Sequence, residues 1–198
     1  MNTDFKESID NLESKNDTIR LNALESILNI SEEQVDWVYE VWDHLVGKLD
    51  DENSYQRTGA IRVLCNLVKS DSENRILSCL DRLLDHTRDD KFITSRICIQ
   101  NIWKIAATNR QAGEIIIGHL EKQFEDCAQG KHYNLVRQDI LQSMRQLFDH
   151  EKDDRILIIA REMVKQEKEE KYRKKYENII NSNTGDEKSK LGSSGRIP

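Results

Sequence analysis

The sequence predicts an all-α protein, a right-handed α-solenoid of about five two-helix repeats. Three observations carry that expectation. Proline occurs once, at Pro198, and glycine eight times in 198 residues, a composition that favours helix over sheet. Apolar residues recur at the i, i+3, i+4, i+7 spacing of a helix with one buried face. One basic and several apolar columns repeat in step at an interval near 40 residues, the mark of a helical array.

The periodicity predicts helices over 3–14, 18–30, 32–49, 54–69, 73–87, 92–108, 111–127, 134–149, 153–166 and 168–181. The second has Ile19, Ala23, Ile27 and Ile30 on one face, with Asp17 as its expected cap. The third carries Val35, Val38, Trp42, Leu45 and Leu49, and Ser31 with Gln34 has the spacing of a capping box before it. Asn53 or Ser54 suits the start of the fourth, whose apolar run ends at Val68. Short connections pair the ten helices into five antiparallel hairpins. Residues 1–181 form the expected repeat domain. Residues 182–198, rich in Ser, Gly, Asn and Lys, form the expected disordered tail.

The repeat itself lies in the second helix of each hairpin. Arg20, Arg57, Arg96, Arg137 and Arg173 stand near its start, at intervals of 37, 39, 41 and 36 residues. Three residues on come Ala23, Ala60, Ile99, Ile140 and Tyr176. Seven on come Ile27, Leu64, Trp103, Met144 and Ile180. These columns, Trp103 included, are the expected core.

Asp51 precedes Arg57 by six residues, and Asp90 precedes Arg96 by six. With the segment Leu45 to Leu67 (LVGKLDDENSYQRTGAIRVLCNL), this resembles the HEAT repeat, which has an aspartate in the turn between its helices and an arginine early in the second. Ser14, Lys131 and Glu167 stand at the aspartate position of the other three copies, so those rest on periodicity alone. The resemblance implies a scaffold rather than any one activity. The expected role of Asp51, Arg57, Asp90 and Arg96 is a structural ladder, the aspartate serving the helix end and the arginine bridging stacked hairpins.

Reactive chemistry finds little footing. The five histidines form no His-x-x-x-His or His-Glu-x-x-His motif, and the four cysteines no Cys-x-x-Cys pair. Nucleophile elbows, phosphate loops and dinucleotide fingerprints are absent from the sequence. The expectation is no enzyme, no cofactor and no metal. The cysteines suit a reducing, cytoplasmic setting as small packing residues. The first twelve residues are too polar for a signal peptide, and apolar runs long enough for a membrane span are lacking. A net charge of −6 argues against nucleic acid as a partner. Two rival readings remain. One is a HEAT-like DNA glycosylase acting on alkylated bases, suggested by Trp42-Asp43. The other is a structural subunit that assembles with its own copies.

In solenoids of this kind the second helices line the concave side. The repeat register places Glu25, Arg62, Asn66, Asn101, Gln142 and Gln146 on that face. The stripe is rich in amides, which both donate and accept hydrogen bonds and therefore suit a peptide backbone or protein surface. The expected function is a protein–protein interaction module holding a protein or peptide partner along this face.

Overall fold

A computed structural model describes residues 4–182. Their regular elements are α1 (Asp4–Asn11), α2 (Asp17–Ile30), α3 (Val38–Lys48), α4 (Ser54–Leu67), α5 (Ile76–Asp85), α6 (Phe92–Asn101), α7 (Trp103–Thr108), α8 (Arg110–Asp126), α9 (Tyr133–Glu151), α10 (Asp154–Lys165) and α11 (Glu170–Asn181). Single 3-10 turns follow α4, α5 and α8. The expected tail falls, from residue 183 onward, outside the described residues.

The elements form an α-solenoid. Within each repeat the two helices pack antiparallel, and α2, α4, α6–α7, α9 and α11 stack on one another as one layer. A continuous apolar core runs from Phe5 to Ile180. Ile27, Leu64, Ile99, Ile140 and Tyr176 from the repeating columns are fully enclosed. Burying each aliphatic side chain contributes about 1.5–3 kcal/mol.

Local chemistry explains most helix ends, with three departures from expectation. Asn16, not Asp17, caps α2, its Oδ1 accepting from the Thr18 and Ile19 amides at 3.0 and 3.3 Å. Ser31 opens no helix. It closes α2, its buried hydroxyl donating to the Ile27 carbonyl at 2.6 Å, so α3 starts at Val38 rather than near residue 32. The helix expected over 92–108 is interrupted at Ile102. Ile102 takes the fully buried place there, and Trp103 is only half-buried, its ring 6.3 Å from that of His150. At the start of α4, by contrast, Asn53 Oδ1 accepts from the Tyr55 amide at 2.9 Å.

Hydrogen bonds across the seams recur at the repeat interval, because equivalent positions face each other. Gln123 Nε2 donates to the Thr87 carbonyl at 2.7 Å, 36 residues away. Asn109 Nδ2 donates to Asn74 Oδ1 at 2.8 Å, 35 residues away.

The repeating arginines make the strongest of these links. Arg57 holds its own turn through the Asp51 and Glu52 carbonyls, at 2.9 and 3.0 Å. It also reaches forward to Asp89 in a two-pronged pair, at 2.8 and 2.7 Å, and to Asp90 at 2.9 Å. Asp89 is the turn residue equivalent to Asp51. Its Oδ1 accepts from the Lys91 amide at 2.8 Å, as Asp51 Oδ1 accepts from the Asn53 amide at 2.9 Å. The register that singled out Asp90 is therefore one residue late.

In the fifth repeat Glu167 fills the same role. Its Oε1 accepts from the Glu169 amide at 3.0 Å, and its Oε2 accepts from Arg137 at 2.9 Å. Glu167 is thus a buried ladder residue. The fourth repeat has Lys131 at this place, and Arg96 turns instead to Asp139 on α9, at 2.5 and 3.0 Å. Arg57 and Arg96 both bridge stacked hairpins, as the ladder expectation has it, Arg57 to Asp89 and Asp90 and Arg96 to an acid outside the turn.

Two predictions follow from this packing. Truncating Arg57 or Arg96 to Ala should lower unfolding free energy by about 1–3 kcal/mol. The loss for Arg137→Ala should be greater, about 3–5 kcal/mol, because its pair with Glu167 is the one of the three in which arginine and carboxylate are both fully enclosed. Burial pushes the Asp89 carboxyl up, but its bonds to Arg57, the Lys91 amide and His86 outweigh this and hold it far below the usual carboxylate range. A depressed folded value means its stabilisation is complete above the unfolded pKa of about 4 and is lost as pH falls below it. Urea unfolding at acid and neutral pH should show that loss, and a smaller acid-dependent loss in Arg57→Ala.

The second prediction concerns Gly113, where α8 crosses α7. A Cβ there would lie 2.9 Å from the Ala106 carbonyl oxygen. Gly113→Ala should therefore destabilise, by about 1–3 kcal/mol, against the gain Ala normally brings to a helix. A melting temperature at or above that of the unaltered protein would disprove the close approach.

Candidate functional site

The residues expected along the concave stripe separate into two groups. Asn66 is consumed by the fold. Its Nδ2 donates to the Ser31 carbonyl and hydroxyl at 3.0 and 2.7 Å and to the Leu28 carbonyl at 3.1 Å, tying α4 to the end of α2. It is buried, so it is withdrawn from the partner-binding stripe. Repeat register puts it one helical turn beyond Arg62, on the side that faces the preceding hairpin. Of its counterparts nine residues beyond the other repeat arginines, Ile105 is buried as well, Gln146 half-buried and Asn29 exposed.

Glu25 is exposed, and Arg62, Asn101, Gln142 and Gln146 are half-buried. Asn101 spends its Nδ2 on the Ile97 carbonyl of its own helix at 2.8 Å. These residues come from α2, α4, α6 and α9, which adjoin in the second-helix layer.

Arg62 has a distinctive setting. Among the described residues no hydrogen bond or ion pair reaches its guanidinium. Burial pushes its pKa down, and Glu25 is the acidic group that opposes this. Lys104, on α7, is shifted down too, first by burial and then by Lys69 and Arg62, with the Cys65 thiol opposing. Its Nζ lies 3.3 Å from Asn66 Oδ1, a neutral acceptor. Lys69 Nζ donates to a neutral group as well, the Glu32 carbonyl, at 2.6 Å. Three cations thus gather at the seam between α4 and α7, and Glu25 is the carboxylate that acts on Arg62. The sequence register captured Arg62 but missed Lys104, which lies eight residues beyond Arg96 and outside the stripe assigned to that face.

Beside Arg62 a cleft of about 300 Å³ opens between α2 and α4. Leu21, Leu24, Leu45, Tyr55, Gly59 and Ala60 supply its apolar lining. Gly59 is at its floor: a Cβ there would meet nothing within 4 Å. Leu21 and Tyr55 are 52% and 64% exposed, large apolar surface at a place where the hairpins part. Arg20 and Lys48 stand at the cleft but are engaged, Arg20 with Asp17 and the Ser14 carbonyl, Lys48 with Glu13.

The tryptophans are elsewhere. Trp42 is buried, Trp37 stacks on Phe5 with ring centroids 4.4 Å apart, and Trp103 leans on His150. Asp43 is exposed on α3, in the other layer, 4.0 Å from Arg75. Burial pushes the Cys65 thiol up to about 12 and Cys79 up to about 11, as expected of packing residues. Among the described residues there is no group of three or more His, Cys, Asp or Glu placed to hold a metal ion. No described helix is long and apolar enough to cross a membrane.

Family models and curated proteins give no match to this chain. Solved structures do. One is a designed armadillo repeat protein in complex with the peptide (KR)4, with TM-score 0.53 and 13% identity over 89% of this chain and 80% of that one. A second designed armadillo repeat protein gives TM-score 0.50 and 15% identity, again over 89% and 80%. An engineered protein gives TM-score 0.52 and 14% identity over 91% and 78%. At such identity the likeness is one of fold, and it places this chain among helical repeat solenoids.

Proposed function

We propose that this protein is a non-enzymatic scaffold that binds a protein or peptide partner along its second-helix layer, the concave face of a HEAT-type solenoid. The observation that carries this reading is the coexistence, on one face, of outward amides, an unpaired guanidinium and an open apolar cleft. Outward groups contributed by successive repeats can add several weak contacts along an extended partner. One fold neighbour, a designed repeat protein, is itself described in complex with a peptide, which supports the reading by analogy. The HEAT assignment rests on the Asp51–Arg57 turn. It is supported by the way Asp89 and Glu167 serve the same turn position. Residues 1–181 act as one binding unit in this reading, in the cytoplasm, without a cofactor.

The test uses the full chain as bait to isolate a partner, followed by binding measurements with the purified pair. Asn101→Ala combined with Gln142→Ala should weaken binding by about five- to thirtyfold and leave the melting temperature unchanged, since neither side chain is in the core. Undiminished binding by that variant would refute the face. Tight, steeply salt-dependent DNA binding, or release of an alkylated base from DNA, would refute the scaffold reading in favour of a glycosylase.

A further inference from the structure

The α2–α4 cleft and the cations beside it carry more than a generic interaction surface. Three features coincide there. The cleft is apolar and open, with Leu21, Leu24 and Tyr55 around a glycine floor. Arg62 lines the same cleft and is half-buried without a bonded partner among the described residues. Lys104 and Lys69 continue the positive charge along the seam, each bonded only to a neutral oxygen. Half-buried cations lose hydration, and these repel one another as well. A carboxylate laid against them recovers both costs. An apolar side chain entering the neighbouring cleft removes exposed hydrocarbon from water. The two needs are met together by one kind of ligand.

We propose that this corner of the second-helix layer binds an acidic peptide segment bearing a large apolar side chain, which enters the α2–α4 cleft while a flanking carboxylate lies on Arg62 and Lys104. The proposal rests on the scaffold reading above and names the chemistry of its partner. The charge preference is opposite to that of a basic peptide, whose lysines or arginines would face Arg62, Lys69 and Lys104. Nucleic acid would satisfy the cations but leave the apolar cleft empty. Gly59 sets specificity by absence: any side chain there would occupy the space that the ligand's anchor requires. Arg62 and Lys104 then fix which residue neighbours the anchor.

The experiment uses the full chain and three fluorescein-labelled dodecapeptides. The first has Glu and Asp flanking a Leu-Phe pair. The second keeps the acidic flanks and replaces the pair with Ser. The third keeps the pair and has Lys flanks. Fluorescence anisotropy at low and high salt should show measurable binding of the first alone, weakened by salt. Gly59→Leu should reduce that binding at least about tenfold while melting no lower than the unaltered protein, and Arg62→Glu with Lys104→Glu should reduce it by a similar factor. Gly59→Ala and Arg62→Gln, milder changes at the same places, should give intermediate losses.

Equal or tighter binding of the Lys-flanked peptide would overturn the proposal. So would failure of the acidic apolar peptide to bind, or indifference to filling Gly59. The scaffold reading has its own arm. If an isolated partner still binds the Gly59 and Arg62/Lys104 variants but not the Asn101/Gln142 variant, the scaffold stands and this corner is not its anchor. If both sets of variants bind the partner as the unaltered protein does, both readings fall.

Discussion

The forward reach of Arg57, Arg96 and Arg137, each to an acid of the following repeat, is the contact on which the stack depends. A helix hairpin cannot bury both of its faces alone, and its inter-helix turn leaves backbone groups without partners. Arg57 answers both problems in one side chain, bonding carbonyls of its own turn and the carboxylate that organises the next. Arg137 does the same with the Phe124 carbonyl, at 3.0 Å, and Glu167. Because the guanidinium is planar and forked, it fixes the angle between hairpins as well as their distance. Each repeat is thereby set in register with its neighbour, and the outward residues of successive second helices fall into line.

This contact also explains how much of the molecule was legible in the sequence. The arginine column was visible because a guanidinium tolerates no substitute in that geometry. The acidic partner was less so, because any carboxylate that reaches the fork suffices. Asp89 does the work that spacing assigned to Asp90, Glu167 does it with a longer side chain, and Asp139 does it from a helix where Lys131 leaves no acid in the turn. Helix existence was legible throughout from the apolar period. Boundaries failed where a polar residue had two equally plausible local uses, as with Ser31, whose hydroxyl closes a helix and does not open one.

The candidate site was legible only in part, for a related reason. Repeat register gives the angle of a side chain around its helix but not the proximity of the next hairpin. Asn66 and Gly59 lie in columns that look outward, yet Asn66 is captured by the end of α2 and Gly59 opens onto a cleft. Whether a position is seam or surface depends on how closely two hairpins approach, and that distance differs along the array. Lys104 shows the reverse error: a residue outside the outward columns that the break at Ile102 leaves beside Asn66.

The first seam is made differently from those that follow. Arg20 gives its hydrogen bonds to its own repeat, to Asp17 and the Ser14 carbonyl, and meets the next through the Tyr55 ring, 4.7 Å from its guanidinium carbon. Of the ionic links from the first hairpin to the second, Lys6–Glu40 is open to water and Glu13–Lys48 partly so. Arg57–Asp89 and Arg137–Glu167, by contrast, are shielded. Exposed pairs contribute little and yield readily to salt. The first seam therefore combines open ion pairs with neutral hydrogen bonds, Asn66 to the end of α2 and Gln56 to the Leu12 carbonyl, where the middle seams carry shielded ionic forks. Added salt therefore acts first on the ionic part of the first seam, and leaves its neutral hydrogen bonds and the shielded forks beyond it largely as they are.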